Sequence, residues 1–85
     1  MSFKVVITKS ASKEYSKINE PHKSLIKQHI DDLQIFGLDS SGIKPLTGNL
    51  QGLFRIRAGK FRIIFKNDDN IFTIISILHR KDAYR

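Results

Sequence analysis

The sequence predicts an α+β domain: two N-terminal helices packed on a mostly antiparallel four-stranded sheet, in the order β-α-α-β-β-β. Three observations lead there. Phe3 to Ile7 is a β-branched run, apolar residues recur at helical spacing through residues 10–36, and from Leu53 onward the period becomes two. The 85 residues allow one domain, 1–85.

FKVVI reads as the first strand. A polar helix over residues 10–19 follows, with Ser10 as its cap, Glu14 in its first turn, and Ala11, Tyr15 and Ile18 on one face. Pro21 suits the first turn of a second helix. There Leu25, Ile26, His29, Ile30 and Leu33 form an apolar stripe, with His29 as a packing residue, and Gly37 ends the helix. GLDSSGIKPLTGNLQG, residues 37–52, is rich in glycine and reads as a long connection. LFRIR and KFRIIFK then alternate around the break AG, and NDDN separates them from IFTIISIL. That is a three-stranded meander whose last strand, apolar at nearly every position, is expected to be central and covered on both faces.

Charge is unevenly placed. Residues 1–54 hold 7 basic and 5 acidic residues, a net of +2; residues 55–85 hold 8 and 3, a net of +5, which together give the chain's +7. Charge focused in this way suits a polyanion. Cysteine is absent, so thiol catalysis, thiolate metal sites and disulfides are excluded. No apolar run approaches a membrane span and the start MSFKVVITK lacks a signal-peptide core, so a cytoplasmic protein with no membrane role is expected.

A two-residue turn at Ala58 and Gly59 would pair Arg57 with Lys60, Ile56 with Phe61, Arg55 with Arg62 and Phe54 with Ile63. One face then carries Phe54, Ile56, Phe61 and Ile63, the other four cations in two opposed pairs. Like charges opposite one another on a sheet cost up to ~1 kcal/mol per pair. A set with no acid among it points to an anion ligand. A second turn over Asp68 to Asn70 adds Ser76, Leu78 and Arg80 to that face and keeps Thr73, Ile75 and Ile77 under the helices; a turn at Asp68 and Asp69 would put Arg80 opposite. The first register is preferred because it groups the arginines. Arginine grips phosphate through two hydrogen bonds, and Tyr84 offers a ring for a base, so RNA or DNA fits.

The element order, the stretch GLFRIRAGKFRIIF at 52–65 and the ending ILHRKDAYR resemble the RelE/ParE superfamily of toxin–antitoxin toxins, its RelE branch above all. The resemblance implies a RelE-like fold and a ribosome-dependent messenger-RNA endoribonuclease that inhibits translation from the ribosomal A site. It also implies a cognate acidic antitoxin in a hetero-oligomeric complex, and neither cofactor nor metal. The family's basic positions fall on Arg55, Arg57, Arg62 and Arg80, and its near-terminal tyrosine on Tyr84. Lys60, Lys81 and Arg85 flank them as RNA-binding candidates. Some members carry lysines where Arg55 and Arg57 stand, and arginine is no proton acceptor. The general base therefore stays open between Tyr84 and His79, which faces away from the arginines in the preferred register. Two other readings stay open as well: a ParE-like inhibitor of DNA gyrase, and a catalytically inactive RNA-binding homologue.

Overall fold

The computed structural model describes residues 3–46 and 52–83. Chain order is β1 (Lys4–Ile7), α1 (Lys9–Ser16), α2 (His22–Phe36), a 3-10 turn (Gly37–Asp39), β2 (Ile43–Pro45), β3 (Leu53–Ala58), β4 (Phe61–Asp68), β5 (Ile71–His79) and α3 (Arg80–Ala83). The strands form one sheet, β1-β5-β4-β3-β2, antiparallel except for the parallel pair β1–β5.

The sheet has five strands, not the expected four, and the helices follow a strand rather than open the chain. The extra strand, β2, comes from the segment read as a connection. Ile43 pairs with Ile56, Lys44 with Arg55 and Pro45 with Phe54. Three residues ending in proline are too few to show alternation, and proline is tolerated because β2 is an edge strand. The other addition is α3, where a continuing strand was expected.

Turn chemistry sets the β3–β4 register. Ala58 pairs with Phe61, so the turn is Gly59–Lys60, and Gly59 has φ 62°. A two-residue hairpin turn needs positive φ at its first central residue, which glycine supplies and Ala58 would not. Pairing therefore sits two residues from the expected register. Two is the period of the strand, so every side chain keeps its expected face.

The β4–β5 turn is Asp69–Asn70, with Asp68 opposite Ile71 and Asp69 at φ 55°. A bulge then shifts the ladder: Ile64 pairs with Ser76 but Phe65 with Ile74, leaving Ile75 extra. The side chains turned to the helices are thus Phe72, Ile74 and Ile77, exposed by 1%, 0% and 3%. Thr73 and Ile75 do not join them as expected. The bulge also explains the unbroken apolar run of β5, which the expectation of cover on both faces had misread. Leu78 and Ser76 lie on the arginine face, as expected.

Thr8, not Ser10, caps α1; its Oγ1 accepts the Ala11 N–H at 3.2 Å and donates to the Ile75 carbonyl at 3.2 Å. Glu14 lies beyond the first turn. Its Oε1 accepts the Ser76 hydroxyl and the Ile77 N–H, each at 3.2 Å. β1 ends opposite Ile74, so α1 supplies partners for the part of the β5 edge that β1 leaves bare. At the start of α2, Glu20 accepts the Ser24 N–H at 3.0 Å, and its carboxyl is held below the usual range by hydrogen bonds from Ser24. A carboxylate more acidic when folded stabilises above its unfolded pKa, and this contribution is lost as pH falls through the folded value. Gly37 ends α2 at φ 60°, where a β-carbon would meet the Phe3 ring at 2.6 Å. No helix among the described residues is long and apolar enough to cross a membrane.

Phe65 is the centre of the core, fully buried, stacked on Phe54 at 5.5 Å and edge-on to Phe72 at 5.6 Å. Phe65→Ala should cost about 3–5 kcal/mol through lost burial and the cavity left behind. A domain's whole stability is only about 5–15 kcal/mol. The urea midpoint of the variant is therefore expected to fall by at least about a fifth, and an unchanged midpoint would show that this cluster is not the core.

Candidate nucleic-acid interface

Paired residues share a face, so the register lists what the sheet presents on the side away from α1 and α2. β3 contributes Leu53, Arg55 and Arg57; β4 contributes Arg62, Ile64, Lys66 and Asp68; β2 contributes Lys44 and β1 Lys4. Of the charged residues in this set only Asp68 is acidic, and it bridges Lys66 at 3.4 Å.

Two opposed like-charge pairs do occur, with partners other than those expected. Arg57 faces Arg62, and Arg55 faces Lys44. Lys60 is exposed at the hairpin turn instead of pairing with Arg57. Arg62 is 6% exposed, the one buried charged side chain among the described residues, and it has interaction partners in the fold. Arg57 is exposed and Arg55 half-buried. The carbonyl of Gly42 gathers both: it accepts the Arg57 N–H at 3.2 Å and Arg55 Nη1 at 3.4 Å. Gly42 itself has φ 82°, and a β-carbon there would come within 3.3 Å of the Arg57 carbonyl. The turn into β2 thus steadies two of the arginines.

Arg80 is the first residue of α3, and its N–H donates to the Lys60 carbonyl at 2.6 Å. That bond extends the β4–β5 ladder beyond Arg62 and Leu78 and holds the backbone of Arg80 at the hairpin turn. Lys81 is exposed beside it. Tyr84 and Arg85 lie outside the described residues. His79 pairs with Phe61 on the opposite face, as expected. Lys44 and Lys66 belong to the face and were not singled out from sequence. The first sat in the presumed connection; the second was visible in the alternation of KFRIIFK. Among the described residues no three His, Asp or Glu side chains are arranged to hold a metal.

Residues 5–84 match the family model of the ParE toxin of type II toxin–antitoxin systems, parDE. The chain belongs to that family. The toxin also matches solved structures. The toxin–antitoxin complex RelBE2 of Mycobacterium tuberculosis is similar with TM-score 0.82 and 25% identity, over 94% of this chain and 100% of that one. The RelE–RelB complex of the archaeon Pyrococcus horikoshii gives 0.79 and 23%, over 94% and 97%. A doubly arginine-substituted E. coli RelE in the free state gives 0.76 and 16%, over 99% and 90%. No curated protein sequence matches the chain. This is a type II toxin of the RelE/ParE superfamily, as the resemblance of its hairpin and ending implied.

The opposed arginines predict a trade between stability and function. Arg57→Glu puts a carboxylate opposite Arg62 in place of a like charge, worth about 1 kcal/mol. For a domain of this size the melting temperature should rise by roughly 4–8 °C. A lower melting temperature would show that Arg57 contributes to folding and not only to the surface field.

Proposed function

We propose that this toxin is a ribosome-dependent endoribonuclease that cuts messenger RNA in the A site and so inhibits translation in the cytoplasm. The observation that carries the reading is the convergence of Arg55, Arg57 and Arg62 on the sheet face turned away from α1 and α2, with Arg80 tied by its backbone to the hairpin turn at the end of that face. Fixed cations of this kind stabilise charge that grows in a transition state.

In the reaction, the RNA's own 2′-oxygen forms a bond to the adjacent phosphorus and the bond from phosphorus to the 5′-oxygen breaks. The products are a 2′,3′-cyclic phosphate, which opens to a 3′-phosphate, and a 5′-hydroxyl end. Arg55, Arg57 and Arg62 hold the phosphorane-like oxygens. Arg80 contacts the scissile phosphate and assists the leaving oxygen, and Tyr84 stacks on or orients a base. Lys60, Lys81 and Arg85 extend the phosphate contacts. Neither metal nor cofactor enters this scheme.

Among the arginines and Asp68 of this face the proton of the 2′-hydroxyl finds no acceptor. Arginine cannot take it. Asp68 is paired with Lys66 and sits six residues from Arg62, roughly 20 Å along the strand. His79 is on the other face, and Tyr84 is kept as the proposed base. With acid–base catalysis this thin, positioning by the ribosome must supply much of the rate. A cognate acidic antitoxin is the proposed partner; the M. tuberculosis and P. horikoshii neighbours are toxin–antitoxin complexes.

The family model names ParE, and this favours one further reading: a DNA gyrase inhibitor on the same fold. The separating experiment is cleavage of a short message on purified ribosomes with an empty A site, beside free message and a gyrase supercoiling assay. Cutting on ribosomes alone, reduced about 100-fold or more in Arg80→Ala, is the expected result. Cutting of free message would remove the ribosome from the mechanism. Gyrase inhibition with intact message would establish the other reading, and RNA binding with neither activity would mark an inactive homologue.

Salt dependence gives a second check. Each phosphate-bound cation contributes about one unit to the slope of log affinity against log salt. Arg57→Ala should lower that slope by roughly one for any RNA sequence, and an unchanged slope would take Arg57 off the phosphate.

A further inference from the structure

His79 ends β5, and Arg80 begins α3. That makes His79 the residue in the N-cap position of the helix that carries Arg80. Its Nδ1 accepts the Lys81 N–H at 3.2 Å. Serine, threonine, aspartate and asparagine usually make this bond, which satisfies one of the orphan amides of a first turn. The imidazole is braced from the side, edge-on to Phe61 with centroids 5.3 Å apart, and Phe61 in turn contacts the His22 ring at 5.4 Å. The neighbouring amide, that of Arg80, goes to the Lys60 carbonyl. One of the first two amides of α3 thus ties Arg80 to the hairpin turn, and the other depends on a histidine.

We infer that His79 is a positioning residue: its neutral imidazole caps α3 and so fixes Arg80 against Arg57 and Arg62. The geometry stands alone; the consequence for cleavage rests on the proposed RNA reading. An imidazole cap differs from an asparagine cap in one respect. Nδ1 accepts a hydrogen bond only while it carries no proton, and once protonated it is a second donor pointed at an N–H. Acidification therefore frees the Lys81 amide and loosens the first turn of α3, leaving Arg80 held by its bond to the Lys60 carbonyl alone. The charged and titratable groups around the ring are Glu14 and Lys17 from α1 and His22 from α2, with Lys60 and Lys81 adjacent. Glu14 is already engaged by Ser76 and Ile77.

Two variants separate the cap from the packing. His79→Asn keeps an acceptor and removes the ring; His79→Phe keeps a ring on Phe61 and removes the acceptor. The first readout is the hydrogen-exchange protection of the Lys81 amide by NMR from neutral to acidic pH. The second is cleavage on programmed ribosomes. Wild type should lose Lys81 protection on acidification, the asparagine variant should keep it throughout, and the phenylalanine variant should lack it at every pH. Cleavage should fall about fivefold in kcat for His79→Phe, the size of one lost cap, with KM unchanged. It should stay within about twofold for His79→Asn, without the acid loss of wild type. Protection of Lys81 that is independent of pH in wild type, or an asparagine variant as impaired as the phenylalanine one, would overturn the inference. If wild type does not cut RNA, the RNA reading fails and the exchange data still decide the cap.

Discussion

The one-residue bulge between β4 and β5 is the constraint on which both faces of the sheet depend. Without it a strict alternation along β5 could not bury Phe72, Ile74 and Ile77 together, because the last is three residues from its neighbour. The bulge changes phase once, at Ile75. Beyond it Leu78 pairs with Arg62, and the following ladder bond joins Arg80 to Lys60. The same irregularity that completes the core therefore brings the terminal arginine alongside the hairpin arginines. With the same residues paired in unbroken alternation from Phe72 and Ile74, Arg80 would fall on the face under the helices and His79 on the arginine face.

The two faces follow different rules. Under the helices, aromatic and branched side chains are buried to within a few per cent, as stability requires. On the other face, opposed cations repel one another, a cost that folding alone does not explain. Gly42 adds to this picture. It needs a positive φ and close approach to Arg57, and its carbonyl serves Arg55 and Arg57 together. A backbone segment is thus organised around two surface arginines. The edges show the same economy: α1 covers the exposed half of β5 with Thr8 and Glu14, so that strand can end in a helix rather than in an open ladder.

Much of this was legible in the sequence, because alternation is a strong signal and survives an error in register. The expected hairpin pairing was two residues out, yet each arginine was assigned to its correct face. Where the signal was short it failed. β2 has three residues and a proline, so nothing periodic marks it. The cap of α1 was missed by two residues because Thr8 and Ser10 are equally good chemistry; the choice was made by Ile75, a partner 67 positions away in the chain. The bulge was invisible for a similar reason: IFTIISIL is apolar in either phase, and only the inward packing of Phe72 and Ile74 selects one. The role of His79 was out of reach because the expected strand continued through Arg80, and a strand has no cap.

Fold does not choose between the two activities of this superfamily. The arrangement of charge bears on it more directly. Along the arginine face, Arg62 and Arg80 are separated by one strand spacing, about 5 Å, and one pleat repeat, roughly 7 Å. Arg57 lies directly across from Arg62. A surface that focuses repelling cations suits a polyanionic ligand. Arginine where some members carry lysine removes a proton acceptor at those positions and keeps the field. On the proposed reading, such a catalyst needs something else to hold the RNA in line, a task the ribosome would perform.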